Sequence, residues 1–239
     1  LAYIDKTANN IVVANEGLAV SLAAGYNIAT NKIPCVYLQN SGLGNIINPL
    51  MSLINKKVYD IPILFLIGWR GEPFKKDEPQ HLTQGEITED ILKACNIKYS
   101  ILPDEIDLAK ESIDEAVKYM RESNNSYVYL VKRQTFEEEK YEIKENKNTI
   151  LRINAIKIIT ELFKNDIYVS TTGFTSRELY TIRQISDTNS PNDILVVGSM
   201  GHCSSIANGI ALFNKQSNKK VICLDGDGST LMHMGNLTT

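Results

Sequence analysis

Short runs rich in Val and Ile alternate along this chain with longer segments of helical period, and this alternation constrains the fold more than any other feature. A run such as Ile63-Leu-Phe-Leu-Ile67 is apolar at every position, so both of its faces need cover. Helices above and below a parallel sheet provide that cover, which is the βα pattern. Strands are expected at Ile11–Ala14, Cys35–Gln39, Ile63–Ile67, Tyr99–Leu102 and Val128–Val131. Helices are expected between them at Leu18–Ala29, Asn45–Ile54, Thr88–Cys95 and Asp104–Glu122.

The pattern then breaks. The stretch QTFEEEKYEIKENKN is charged and nearly without core residues, so residues 134–150 read as a solvated linker. A second alternation follows: helix Leu151–Lys164, strand Ile167–Ser170, helix Ser176–Ile185, strand Ile194–Val197, helix His202–Phe213, strand Val221–Leu224 and a helix from about Ser229. The expected fold class is α/β, two doubly wound parallel-sheet domains at residues 1–133 and 151–239. The second is expected to be incomplete, because the chain closes at Thr238-Thr239 with neither turn nor cap for the helix then running; it also opens on Leu1 without Met.

At 239 residues and 43% apolar content there is enough material for two such cores. A net charge of −3 with basic residues scattered among acids argues against nucleic acid as a partner. The longest apolar stretch, Ile61–Trp69, contains Pro62 and Gly68 and is too short to span a bilayer, so no membrane partner is expected. Cys35, Cys95, Cys203 and Cys223 are widely spaced, with no C-x-x-C and no His at zinc spacing. They read as small core residues of a cytoplasmic protein.

Ligands of open parallel sheets gather where strands end and helices begin. Four such junctions carry unusual residues. In IVVANEGLAV, Glu16 stands between an apolar run and an apolar helix, where poor hydration suits proton transfer; a helix first turn also favours an acid. In YLQNSGLGNIINP, two glycines precede a helix, as an anion-binding loop or an ordinary turn would have them. The polar loop LIGWRGEPFKKDEPQH holds Arg70, whose planar fork matches carboxylate or phosphonate oxygens, and His81. In LDGDGST, Asp227 offers a hard oxygen for Mg²⁺, while the amides of Gly228 and Ser229 open a helix toward a phosphate. The spacing is neither a dinucleotide fingerprint nor a P-loop.

Taken together, ANEGLAVSLAAGY, YLQNSGLGNIINPLMSL, LIGWRGEP, DEPQH, VGSMGHCSSIANGIAL and LDGDGSTLMHMGNL closely resemble the phosphonopyruvate decarboxylases, thiamine-diphosphate enzymes of phosphonate biosynthesis. Sulfopyruvate decarboxylases have similar motifs. The resemblance implies a lyase that uses thiamine diphosphate and Mg²⁺ to decarboxylate a small anionic 2-oxo acid, with carboligation or ligand binding without catalysis as other uses of the fold. It implies that Glu16 protonates the cofactor's aminopyrimidine ring and that Asp227 holds the metal, with Gly226, Gly228 and Ser229 lining the same loop. Ser199 and Met200 would hold the bent cofactor. Ser41, Asn45, Arg70 and His81 are candidates for substrate by charge and position. A homodimer or larger assembly is implied, since such cofactors lie between domains of different subunits. The family's metal motif runs on past the end of this chain to an asparagine. Asn236 is too near Asp227 to be that residue, so these 239 residues alone are expected to be inactive.

Overall fold

A computed structural model describes residues 10–137, 150–185, 193–214 and 217–239. The chain divides into two compact units, Leu1–Tyr141 and Glu142–Thr239. Of the stretch 134–150 expected as a linker, only residues 134–137 and 150 lie within the described residues.

In the first unit the order is α1 (Glu16–Thr30), β1 (Cys35–Gln39), a 3₁₀ turn (Asn40–Gly42), α2 (Leu43–Ser52), β2 (Leu64–Gly68), α3 (Pro79–Ala94), β3 (Lys98–Ile101), α4 (Ile106–Ser123) and β4 (Tyr127–Val131). The four strands are parallel in the order β1-β2-β4-β3. All five residues of β4 are buried, as a strand paired on both edges and covered on both faces requires. On one face Phe65, Ile67, Val128 and Leu130 pack with Val20, Leu43, Ile46 and Leu92 from α1, α2 and α3. On the other, Leu64, Leu66, Tyr127 and Tyr129 meet Ala116 and Met120 of α4. The sheet is therefore doubly wound.

The strand expected at Ile11–Ala14 is not formed. Ile11 and Val12 are 73% and 87% exposed and lie outside the described ladder. β-Branched composition favours extended backbone, but a strand also needs a partner. Asn15 instead caps α1, its side chain accepting from the Gly17 amide at 2.8 Å. The helix expected at Thr88–Cys95 is longer and starts at Pro79, a residue whose fixed φ suits a first turn. His81 consequently sits on a helix and not in a loop.

The second unit runs α5 (Arg152–Leu162), β5 (Ile167–Ser170), α6 (Phe174–Ile185), β6 (Ile194–Leu195), α7 (Cys203–Phe213), β7 (Val221–Leu224), α8 (Asp227–Met232) and a 3₁₀ turn (Met234–Thr238). Its parallel strands lie in the order β6-β5-β7, with β6 only two residues long where four were expected. Tyr168, Leu179, Ile182 and Ile156 form the core on one face. Val169, Cys203 and Ala207 form it on the other. A buried ion pair, Arg183 Nε to Asp193 Oδ2 at 2.7 Å, closes the end of α6, and the guanidinium lies 4.8 Å from the Tyr168 ring centre. Among the described residues no helix is long and apolar enough to cross a membrane.

Candidate active site

At the carboxyl end of β1 the chain turns through Asn40–Gly42 into α2, and Glu16, the first residue of α1, lies against that turn. The Asn45 amide donates to Glu16 Oε2 at 2.7 Å, fixing the half-buried carboxylate. A Cβ at Gly42 would fall 2.5 Å from Glu16 Cγ and 2.6 Å from its Oε1, so glycine is what allows the side chain to lie there. Gly17 makes a similar approach, 2.9 Å from the Asn45 carbonyl oxygen. These two contacts join the ANEG and NSGLGN segments into one site. Ser41 stands beside it, exposed, its hydroxyl donating to Gln39 Oε1 at 2.7 Å.

Arg70 and His81 belong to a second cluster on the same rim, organised by Asp77. Arg70 donates to both Asp77 oxygens, with Nε at 2.9 Å from Oδ2; the Gly71 amide donates to Oδ2 at 2.7 Å and His81 Nδ1 lies 3.1 Å from Oδ1. The Arg70 guanidinium, with the Gly71, His81 and Glu78 donors, holds the Asp77 carboxyl far below its ordinary range despite burial. Two donors of the Arg70 fork are thus spent within the protein, which the sequence reading of Arg70 did not anticipate. Asn40 ties this cluster to the turn: it donates to the Arg70 carbonyl at 2.7 Å and accepts from the Arg70 amide at 3.1 Å. Neither Asn40 nor Asp77 was singled out from sequence; both are short polar residues in loops, indistinguishable there from turn formers.

In the second unit the loops after β5, β6 and β7 converge on Ser229. Its buried hydroxyl accepts from Thr171 Oγ1 and from the Gly201 amide, each at 3.1 Å. The segment holding Ser199 and Met200 is thereby fixed to the Gly226–Ser229 loop, and Met200 Cε approaches within 3.2 Å of where a Gly228 Cβ would be. Ser199 adopts φ 52°, and its Oγ lies 3.1 Å from His202 Nδ1. Gly201, at φ 92°, leaves room for the His233 ring, which a Cβ would meet at 2.5 Å. Asn236 donates to the Gly201 carbonyl at 3.1 Å, so it braces this loop.

Asp227 is exposed at the first position of α8, its Oδ1 accepting from the Gly228 amide at 2.8 Å. The helix's own bonding starts with the Thr230 amide to the Gly226 carbonyl at 2.8 Å, so the amides of residues 227–229 precede it. An exposed carboxylate beside such amides, in a loop opened by Gly226 and Gly228, fits a hard divalent cation carrying a diphosphate. Glu16, held at one oxygen by Asn45, fits a ring nitrogen that shares a proton. Cys95 and Cys203 are buried, whereas Cys35 and Cys223 are exposed, so the core reading fails for two of the four.

Comparison with known proteins places both units among cofactor-binding domains. Residues 2–94 match the N-terminal TPP binding domain of thiamine pyrophosphate enzymes, and residues 171–239 match the C-terminal TPP binding domain. A phosphonopyruvate decarboxylase from Streptomyces hygroscopicus is 32% identical over 98% of this chain and 60% of its own length. A sulfopyruvate decarboxylase from Methanosarcina acetivorans is 29% identical over 98% of the chain and 62% of its own length. The sulfopyruvate decarboxylase subunit beta of Methanothermobacter thermautotrophicus is 44% identical over 88 residues, 37% of the chain. The chain thus spans about three fifths of the full-length relatives named here. With both cofactor-binding domain types in order along it, the chain belongs to the thiamine pyrophosphate enzymes.

Proposed function

We propose that this chain is the cofactor-binding part of a thiamine-diphosphate- and Mg²⁺-dependent carboxy-lyase that converts 3-phosphonopyruvate to phosphonoacetaldehyde and CO₂ in phosphonate biosynthesis. In this reading residues 1–133 bind the pyrimidine, residues 151–239 bind the diphosphate, and the protein works in the cytoplasm as a homodimer or larger assembly. The observation that carries it is the Glu16 carboxylate seated over Gly42 and held by Asn45 at 2.7 Å, in a domain matched to the N-terminal cofactor-binding type.

Decarboxylation breaks the bond between the carboxylate and the carbonyl carbon, and the bound thiazolium supplies the sink for the electron pair left behind. This chain's residues supply orientation and proton control. Glu16 shares a proton with the aminopyrimidine ring; Asn45 keeps its carboxylate aimed. Asp227 would hold Mg²⁺ and the Ser229 amide would bind the diphosphate, the Gly228 amide being given to Asp227 Oδ1 at 2.8 Å. Ser199 and Met200 support the cofactor from the neighbouring loop, which Ser229 fixes. Ser41 and Arg70 take the substrate anion, Arg70 through the donors that Asp77 does not occupy, and His81 stays oriented by Asp77.

Sulfopyruvate is the second reading, favoured by the likeness to a sulfopyruvate decarboxylase over 98% of the chain. Comparing turnover of the two acids by the protein in its full natural length separates them. Preference for the phosphonate supports the proposal; preference for the sulfonate replaces the substrate but keeps the chemistry.

A further inference from the structure

Behind the diphosphate loop lies a group of side chains that the proposed reaction does not use. Cys203, the first residue of α7, and Cys223, on β7, bring their sulfurs to 3.5 Å. A carboxylate oxygen of Asp225 lies within 4.8 Å of both. Twenty residues separate the cysteines in sequence, and the βαβ crossover closes that gap.

Apolar packing accounts for Cys203 alone, which is 1% exposed beside Val169 and Ala207. It does not account for the others. Cys223 is exposed, and Asp225 Oδ2 is buried without a hydrogen-bond partner among the described residues. A buried carboxylate oxygen left unpaired is costly and calls for a ligand. The other Asp225 oxygen accepts from the Gly226 amide at 2.9 Å, which orients the carboxylate as an outer partner orients a metal ligand. A cavity of about 400 Å³ lined by Cys223, Asp225, Ser204, Asn208 and Thr230 adjoins the group, giving a cation a way in and a water a place beside it.

We infer that Cys203, Cys223 and Asp225 form a binding site for a thiophilic divalent cation of the zinc class. The sulfur separation is close to the edge of a tetrahedron about such an ion, roughly 3.8 Å for Zn–S bonds of about 2.3 Å. Two thiolates and one carboxylate supply three corners, and water from the cavity takes the fourth. Whatever protons the two sulfurs carry leave to solvent as the metal–sulfur bonds form. Mg²⁺ at Asp227 is a separate matter, because a hard ion prefers oxygen and leaves thiolates alone. An ion here would join the end of β7 to the start of α7, and so the two loops that Ser229 already connects.

The test uses the protein in its full natural length, reduced and stripped with chelator, and titrated with Co²⁺ as the probe. A thiolate-to-cobalt charge-transfer band at one equivalent is expected, together with a Zn²⁺-dependent rise in melting temperature. Cys203→Ala and Cys223→Ala should each weaken binding by at least about 100-fold, and Asp225→Asn by about 10-fold or more. Asp227→Asn should leave the band in place. Absence of the band in reduced, folded wild-type protein overturns the inference. So does a band that survives the double cysteine substitution, which would put the ion elsewhere.

Discussion

At the scale of single residues the account turns on what touches Glu16. A methyl group at Gly42 would overlap its side chain, which is flexible enough to swing away. Gly42→Ala should therefore leave the melting temperature nearly unchanged while lowering turnover by up to about 100-fold, since misplacing a reacting group by an ångström has effects of that size. Steady-state rates beside a thermal melt check this. Asp77 gives a second prediction. Its carboxyl is held below the ordinary 3.8 by Arg70 and the surrounding donors, so it stabilises the fold above that value and ceases to as acid protonates it in the folded state. Asp77→Asn should lose about 1.5–3 kcal/mol near neutrality, as hydrogen bonds to a charged group are worth that much. The difference from wild type should shrink as pH falls below about 4, measured by urea midpoints across pH. The sequence draws attention to Glu16 because an acid between apolar segments is unusual. Asp77 goes unmarked there, because its meaning lies in partners that only the fold assembles.

Among the elements, α3 depends on one close approach. A Cβ at Gly85 would fall 1.7 Å from the Gly71 carbonyl oxygen, and one at Gly71 would fall 2.0 Å from the His81 carbonyl oxygen, backbone atoms that cannot step aside. The Trp69 indole donates to the Gly85 carbonyl at 2.9 Å across the same contact. Gly85→Ala should push α3 off the loop that carries Arg70, destabilising the first unit by about 1–3 kcal/mol. A lowered melting temperature with weakened substrate binding is the expected pair of readouts. The helices and most strands could be read from apolar period, and β1, β5 and β7 fall where that period places them. The failures share a cause. Ile11–Ala14 has strand composition without a ladder, and the start of α3 is too polar to show a helical stripe before its glycine contact is known. The Cys203, Cys223 and Asp225 group is invisible for the same reason, since sequence spacing records neighbours along the chain and not across a crossover.

For the whole molecule, the two residues proposed for the chemistry fall in different matched domains, Glu16 in one and Asp227 in the other. If each site of the proposed homo-oligomer takes these residues from different subunits, co-expressing Glu16→Ala and Asp227→Ala chains should restore activity that neither variant has alone. Co-purification through two tags, followed by assay, checks this; no recovery in the mixed oligomer would mean that both residues serve one site from the same subunit. The central claim is that this is a thiamine-diphosphate-dependent decarboxylase whose proton control rests on Glu16. The most direct measurement is CO₂ release from 3-phosphonopyruvate by the protein in its full natural length, with and without thiamine diphosphate and Mg²⁺, beside Glu16→Gln. The account predicts release that requires the cofactor and collapses in the variant while cofactor binding through Asp227 persists. Release that is undiminished in Glu16→Gln, or none from either phosphonopyruvate or sulfopyruvate with cofactor bound, would contradict it.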